Sequence, residues 1–103
     1  AVAVPARVVV GDRELERAAG MFRAAGDPGR LRLLAQLLAG EQCVTELVQS
    51  VGAGFSTVSQ QLRTLRSEGL VSTRREGKHV FYSLADGHVV ELIRSVLQHA
   101  AEV

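Results

Sequence analysis

Four residues near the end of the sequence, Asp86, His88, His99 and Glu102, carry side chains that can ligate a metal ion. They fall in a segment where Val89, Leu92, Ile93, Val96, Leu97 and Ala100 recur at helical spacing, so one face of the helix calls for burial. Asp86 stands at or near the N-cap, where a short carboxylate accepts free backbone N–H groups. At about 100° per residue, His88 and His99 share a stripe, and Glu102 falls within about 40° to 60° of both. Along the axis, at about 1.5 Å per residue, the two imidazoles are roughly 16 Å apart. A metal–nitrogen bond spans only about 2 Å. Asp86 and His88 therefore reach His99 and Glu102 only across a second, antiparallel copy of the helix. A two-fold dimer supplies that copy and creates two equivalent sites. Two imidazoles and two carboxylates form a set that zinc accepts in a tetrahedron. The residues alone leave another reading open, in which each is a solvated polar group near a helix end.

The rest of the chain has to position this helix. Its 103 residues make one domain with a modest core, a size that often leans on a partner subunit. No apolar run approaches the 18 or so residues of a membrane span, and Ala1-Val2-Ala3-Val4-Pro5 is too short for a signal peptide. One cysteine excludes an intrachain disulfide and fits a reducing, cytoplasmic location. The net charge of +1 hides a division. Residues 56–80 carry Arg63, Arg66, Arg74, Arg75 and Lys78 against two acids, whereas residues 81–103 carry one Arg against three acids. A local basic surface of this kind suits phosphate binding.

Residues 1–11 read as a flexible N-terminal arm, and residues 12–103 as the folded domain. Asp12 is the expected N-cap of a helix to about Ala25, with Leu15, Ala18, Ala19 and Phe22 on one side. Gly26-Asp27-Pro28 breaks it and opens a second helix, about Gly29 to Leu38, with Leu31, Leu34, Leu37 and Leu38 inward. A short helix begins at Cys43 and ends near Gly52. Cys43 reads as a small, mostly buried hydrophobe. Phe55 to Glu68 forms the next helix, with Val58, Leu62 and Leu65 inward. Ser56, Thr57, Ser59, Gln60 and Arg63 occupy its outer face.

Two helices joined by a Gly-containing turn, the second presenting hydroxyl and amide side chains at its start, make a helix-turn-helix arrangement. Those side chains suit base edges or phosphates of double-stranded DNA, and Arg pairs with guanine or phosphate. Gly69 ends the helix. Leu70 to Arg75 and His79 to Leu84 read as two strands around Glu76-Gly77-Lys78. This hairpin reads as the wing of a winged helix. Arg75 and Lys78 at its tip are the expected phosphate or minor-groove contacts, with Arg74 and His79 as weaker candidates. Phe81 and Tyr82 are expected to pack on the last helix and the core.

Three motifs carry a family resemblance. Asp-x-His, ten residues, then His-x-x-Glu at Asp86, His88, His99 and Glu102 resembles the interfacial metal site of the zinc-sensing ArsR/SmtB repressors. Gly26 to Leu34 resembles the family's second-helix opening, and Ser56 to Leu65 its recognition helix. The resemblance covers residues 12–103. It implies a mainly α-helical winged helix-turn-helix with a small β-hairpin, forming a homodimer through its N- and C-terminal helices. It implies a repressor that binds an imperfect inverted repeat of operator DNA and releases it when Zn(II) fills two interfacial sites per dimer. It also implies a coupling bond from His99 to the backbone near Gly69. Related thiolate sensors carry Cys-Val-Cys where this chain has Cys43-Val44-Thr45, which argues against arsenic, cadmium, lead and dithiol sensing. Ni(II) or Co(II), with extra ligands and octahedral geometry, is an alternative. The arm's lack of His and the absence of residues beyond Val103 favour zinc. A metal-independent winged-helix regulator is a second alternative. No phosphate-binding glycine loop or nucleophile elbow points to an enzyme.

Overall fold

The computed structural model describes residues 9–103, so most of the expected arm over 1–11 lies outside the described residues. The element order is α1 (Asp12–Ala25), α2 (Pro28–Leu37), β1 (Gln42–Cys43), α3 (Val44–Val51), α4 (Phe55–Ser67), β2 (Val71–Glu76), β3 (His79–Leu84) and α5 (Gly87–Glu102). Helices and hairpin fall where periodicity placed them, within a residue or two. At the start of α1 the N-cap is Gly11, with no side-chain cap bond, rather than Asp12. Asp12 stands one residue further in, where its charge still favours the helix N-terminus.

Short-range bonds set the helix ends. Asp27 caps α2 by accepting from Arg30 N at 3.0 Å, ahead of Pro28 in the first turn. The Arg30 side chain turns back to donate from Nε to Ala24 O at 2.6 Å, satisfying a carbonyl at the end of α1. The Gly26 to Leu34 motif therefore works as a corner piece joining two helices. At the end of α4, Gly69 adopts φ 75°. Its N–H donates to Arg66 O, and Leu70 N–H donates to Leu65 O, both at 3.0 Å. This is a Schellman ending, with Leu70 fully buried against the core.

The sheet has three strands in the order β1-β3-β2, all antiparallel. β1 was not foreseen: two residues are too few to show a period, and Gln42 and Cys43 are strand only because they pair with Tyr82 and Phe81. Glu76 pairs with His79, so the wing turn is the two residues Gly77-Lys78, with Gly77 at φ 60°.

The core gathers Leu33, Leu34 and Leu37 of α2, Leu47 of α3, Val58, Leu62 and Leu65 of α4, and Ile93 of α5. Leu33 joins the expected stripe because α2 is central, touching α1, α3, α4, α5 and β3. Burying a leucine side chain contributes about 1.5–3 kcal/mol, so this cluster holds the helices in register. Leu31 and Leu38 are only partly buried at its margin. Phe81 departs from expectation. Adjacent strand residues face opposite sides, and Tyr82 takes the core side while Phe81 lies under the Arg74 guanidinium, 4.9 Å from its ring centre.

Candidate nucleic-acid interface and metal centre

The inner stripe of α4 is fully buried, which turns Ser56, Thr57, Gln60 and Arg63 outward as exposed side chains, with Ser59 half-buried. Phe55, the first residue of α4, is 62% exposed. It lines a shallow cleft with Cys43, Thr45, Lys78 and His79, so the start of α4 and the wing tip border one surface. In the sequence Phe55 reads only as a helix start, and an unpatterned aromatic just after Gly54 is the available signal.

The wing's two arginines part company. Arg74 pairs with Phe81 and Arg75 with Val80, so their side chains leave opposite faces of β2. Arg75 and Lys78 are exposed and form no ion pair among the described residues. Arg74 is held: Nε and Nη2 donate to the two oxygens of Glu41 at 3.1 and 2.7 Å, and Nη1 donates to Glu76 at 2.6 Å. The hydrogen bond from Arg74 lowers the Glu41 pKa below the usual carboxylate range, and the bonds to Glu41 and Glu76 raise that of Arg74. Glu41, 33 residues away in sequence, could not have been foreseen.

Cys43 is half-buried rather than packed away. It caps α3, and its backbone N–H donates to Glu46 Oε1 at 2.9 Å, one arm of a capping box.

At the other end of the molecule, Asp86 is the N-cap of α5, its Oδ1 accepting from Val89 N at 3.1 Å. That same oxygen lies 3.7 Å from His88 Nδ1, and the His88 side chain is 99% exposed. His99 and Glu102 are exposed at the far end of α5. Within one chain the structure thus places the four candidates two at each end of α5, with a contact shown for Asp86 and His88. Among the described residues no group of three or more His, Cys, Asp or Glu side chains converges. The donor chemistry fits a divalent metal, with imidazoles and carboxylates unencumbered by other side chains, provided both pairs meet. His99 forms no hydrogen bond to the Gly69 region, and α5 packs on α2 and β3.

One face of α5 is left uncovered. Val89 and Ile93 are buried, but Leu92 and Val96 are 38% and 47% exposed, beside Phe22 of α1 at 64%. Phe22, Ala25, Leu31, Leu92, Ile93 and Val96 line one apolar hollow between α1 and α5.

Among the described residues no helix is long and apolar enough to cross a membrane. The sequence profile of the bacterial regulatory proteins of the arsR family matches residues 27–73, from the α2 cap through α4 into the wing. The chain is 46% identical to a transcriptional repressor SmtB homolog of Synechocystis over 86% of its own length and 67% of that protein's. It is 42% identical to the HTH-type transcriptional regulator NmtR of Mycobacterium tuberculosis, over 80% and 68% of the two chains. Its structure superposes on a homodimeric winged helix-turn-helix DNA-binding domain of Mycobacterium bovis with a TM-score of 0.82 and 32% identity, covering 93% and 92%. Fold, recognition helix and wing agree with these similarities, and the chain therefore belongs to the arsR family of bacterial regulatory proteins, as a winged helix-turn-helix transcriptional regulator rather than an enzyme.

Proposed function

We propose that the chain acts as a homodimer that represses transcription from an operator and releases it on binding zinc. The observation that carries this reading is the layout of α5. Donor pairs Asp86/His88 and His99/Glu102 sit exposed at its two ends, and the apolar residues Leu92 and Val96 lie exposed between them. A second copy of α5 running antiparallel covers the apolar face and brings each donor pair to the opposite pair of its neighbour. A zinc ion held there would supply a rigid link between the two subunits. Asp86, His88, His99 and Glu102 would hold it.

On the DNA side, Ser56, Thr57, Ser59, Gln60 and Arg63 read or flank base edges in the major groove, and Arg75 and Lys78 meet phosphates or the minor groove. Each chain supplies one recognition helix, so a two-fold dimer suits an inverted repeat. α5 follows β3 directly and α4 precedes β2, so a change in the angle between paired α5 helices alters the separation of the two recognition helices. His99, by bonding toward Gly69, would orient the ligand and carry the signal. A shift from 1:99 to 99:1 between bound and released forms needs about 5.5 kcal/mol of differential metal affinity.

The test uses a duplex selected for this protein from a random-sequence pool, with affinity measured at fixed salt, with and without one zinc per subunit, for wild type and His88→Ala. Zinc-driven loss of DNA binding that His88→Ala abolishes establishes the reading. Release by Ni(II) or Co(II) alone reassigns the metal, and indifference to all three leaves a metal-independent regulator.

A further inference from the structure

We propose that Arg74 is a positioning residue, which locks the wing to the segment between α2 and α3 and so sets DNA affinity without touching DNA. The inference rests on the DNA-binding reading above, but its basis lies in the wing alone. Four observations converge. Arg74 makes a two-pronged bond to Glu41 at 3.1 and 2.7 Å. Its remaining nitrogen donates to Glu76, two residues along the same face of β2. Its guanidinium plane covers the ring of Phe81, its cross-strand partner. Glu41 immediately precedes β1, which itself pairs with β3, so the side-chain clamp and the backbone pairing join the wing to the same short segment. With the clamp made, three of the guanidinium's five N–H groups are taken by two carboxylates, whose charges offset its attraction for a phosphate.

A lone surface ion pair contributes little, but a fork-shaped Arg–carboxylate bond within a network contributes more. The wing has few other restraints: His79, Lys78, Gly77 and Glu76 are all exposed. Holding it in place before DNA arrives removes an ordering cost from binding.

The test turns on the sign of the effect. Glu41→Gln removes a negative charge, and simple electrostatics makes DNA binding tighter. A phosphate-contacting Arg74, once freed, would strengthen it further and steepen the salt dependence. The clamp predicts the reverse: Glu41→Gln weakens binding roughly two- to fivefold. Arg74→Lys, which keeps the charge but loses the fork, should weaken it similarly, and the double variant should be no worse than either alone. Measurements use the selected duplex across a salt series. Tighter binding by Glu41→Gln, or wild-type affinity in Arg74→Lys, overturns the proposal. Amide hydrogen exchange across residues 73–80 in the DNA-free protein provides a reading independent of DNA. It should accelerate in both variants, and unchanged exchange sinks the clamp even if no duplex binds.

Discussion

One oxygen of Asp86 serves two neighbours: Oδ1 accepts the Val89 amide at 3.1 Å and faces His88 Nδ1 at 3.7 Å. The residue is therefore a helix cap as well as a proposed ligand, and the two roles separate by substitution. Asn caps helices as well as Asp does, so Asp86→Asn should keep thermal stability while weakening zinc binding in a chelator competition. Asp86→Ala should lose the cap too, at about 1 kcal/mol. Equal zinc affinity in Asp86→Asn and wild type would remove Asp86 from the ligand set.

The exposed apolar hollow between α1 and α5 makes a second prediction. Phe22→Glu or Val96→Glu places a charge on the face proposed to meet a second copy, without touching any donor. Sedimentation should show monomers, and zinc affinity should fall with dimerisation, because each site needs both chains. A variant that stays dimeric would locate the interface elsewhere.

On the wing, Arg75 and Lys78 form no ion pair among the described residues. Arg75→Ala and Lys78→Ala should each weaken binding to all duplexes and lower the salt slope by about one unit. Ser59→Ala or Gln60→Ala should instead change preference among duplex sequences, read by comparing selected and scrambled DNA. Uniform weakening by these last two would assign them to backbone positioning.

Acid should loosen the start of α3. The Glu46 carboxylate is held below its usual pKa, chiefly by the Cys43 backbone N–H and further by the Cys43 side chain. A depressed folded-state pKa means the stabilisation is full above the unfolded value of 4.5 and is lost as pH falls through the lower folded value. Glu46→Gln can still accept the bond but does not titrate. Its unfolding midpoint should therefore fall less than that of wild type between pH 5 and pH 3.

What was readable in the sequence depended on whether one element's own pattern decided the matter. The buried stripe Val58, Leu62, Leu65 follows from α4's period, and Gly69 and Asp27 announce helix boundaries by their backbone preferences. Phe81 lies off the core because adjacent strand residues face opposite sides, so Phe81 and Tyr82 cannot both face inward. Other features arise only when distant segments meet. β1 exists through pairing with β3, and Leu33 is buried because α2 is covered on several sides. Arg74 reads in the sequence as a weaker candidate for DNA contact, and its bonds to Glu41 appear only when the fold brings the two together. The proposed metal donors are legible as types and spacing, yet among the described residues no single chain assembles them.

Because β3 takes the middle of the sheet, β2 is left as its outer edge, six residues long, with one row of backbone N–H and C=O groups unpaired among the described residues. Such edges recruit strands from other molecules and seed aggregation. Here Arg74, Arg75 and Glu76 fill half of β2, so stacking an in-register copy would set arginine against arginine and glutamate against glutamate. These charges therefore protect the chain from precipitating through its own sheet, and a variant stripped of both arginines would lose that colloidal protection first.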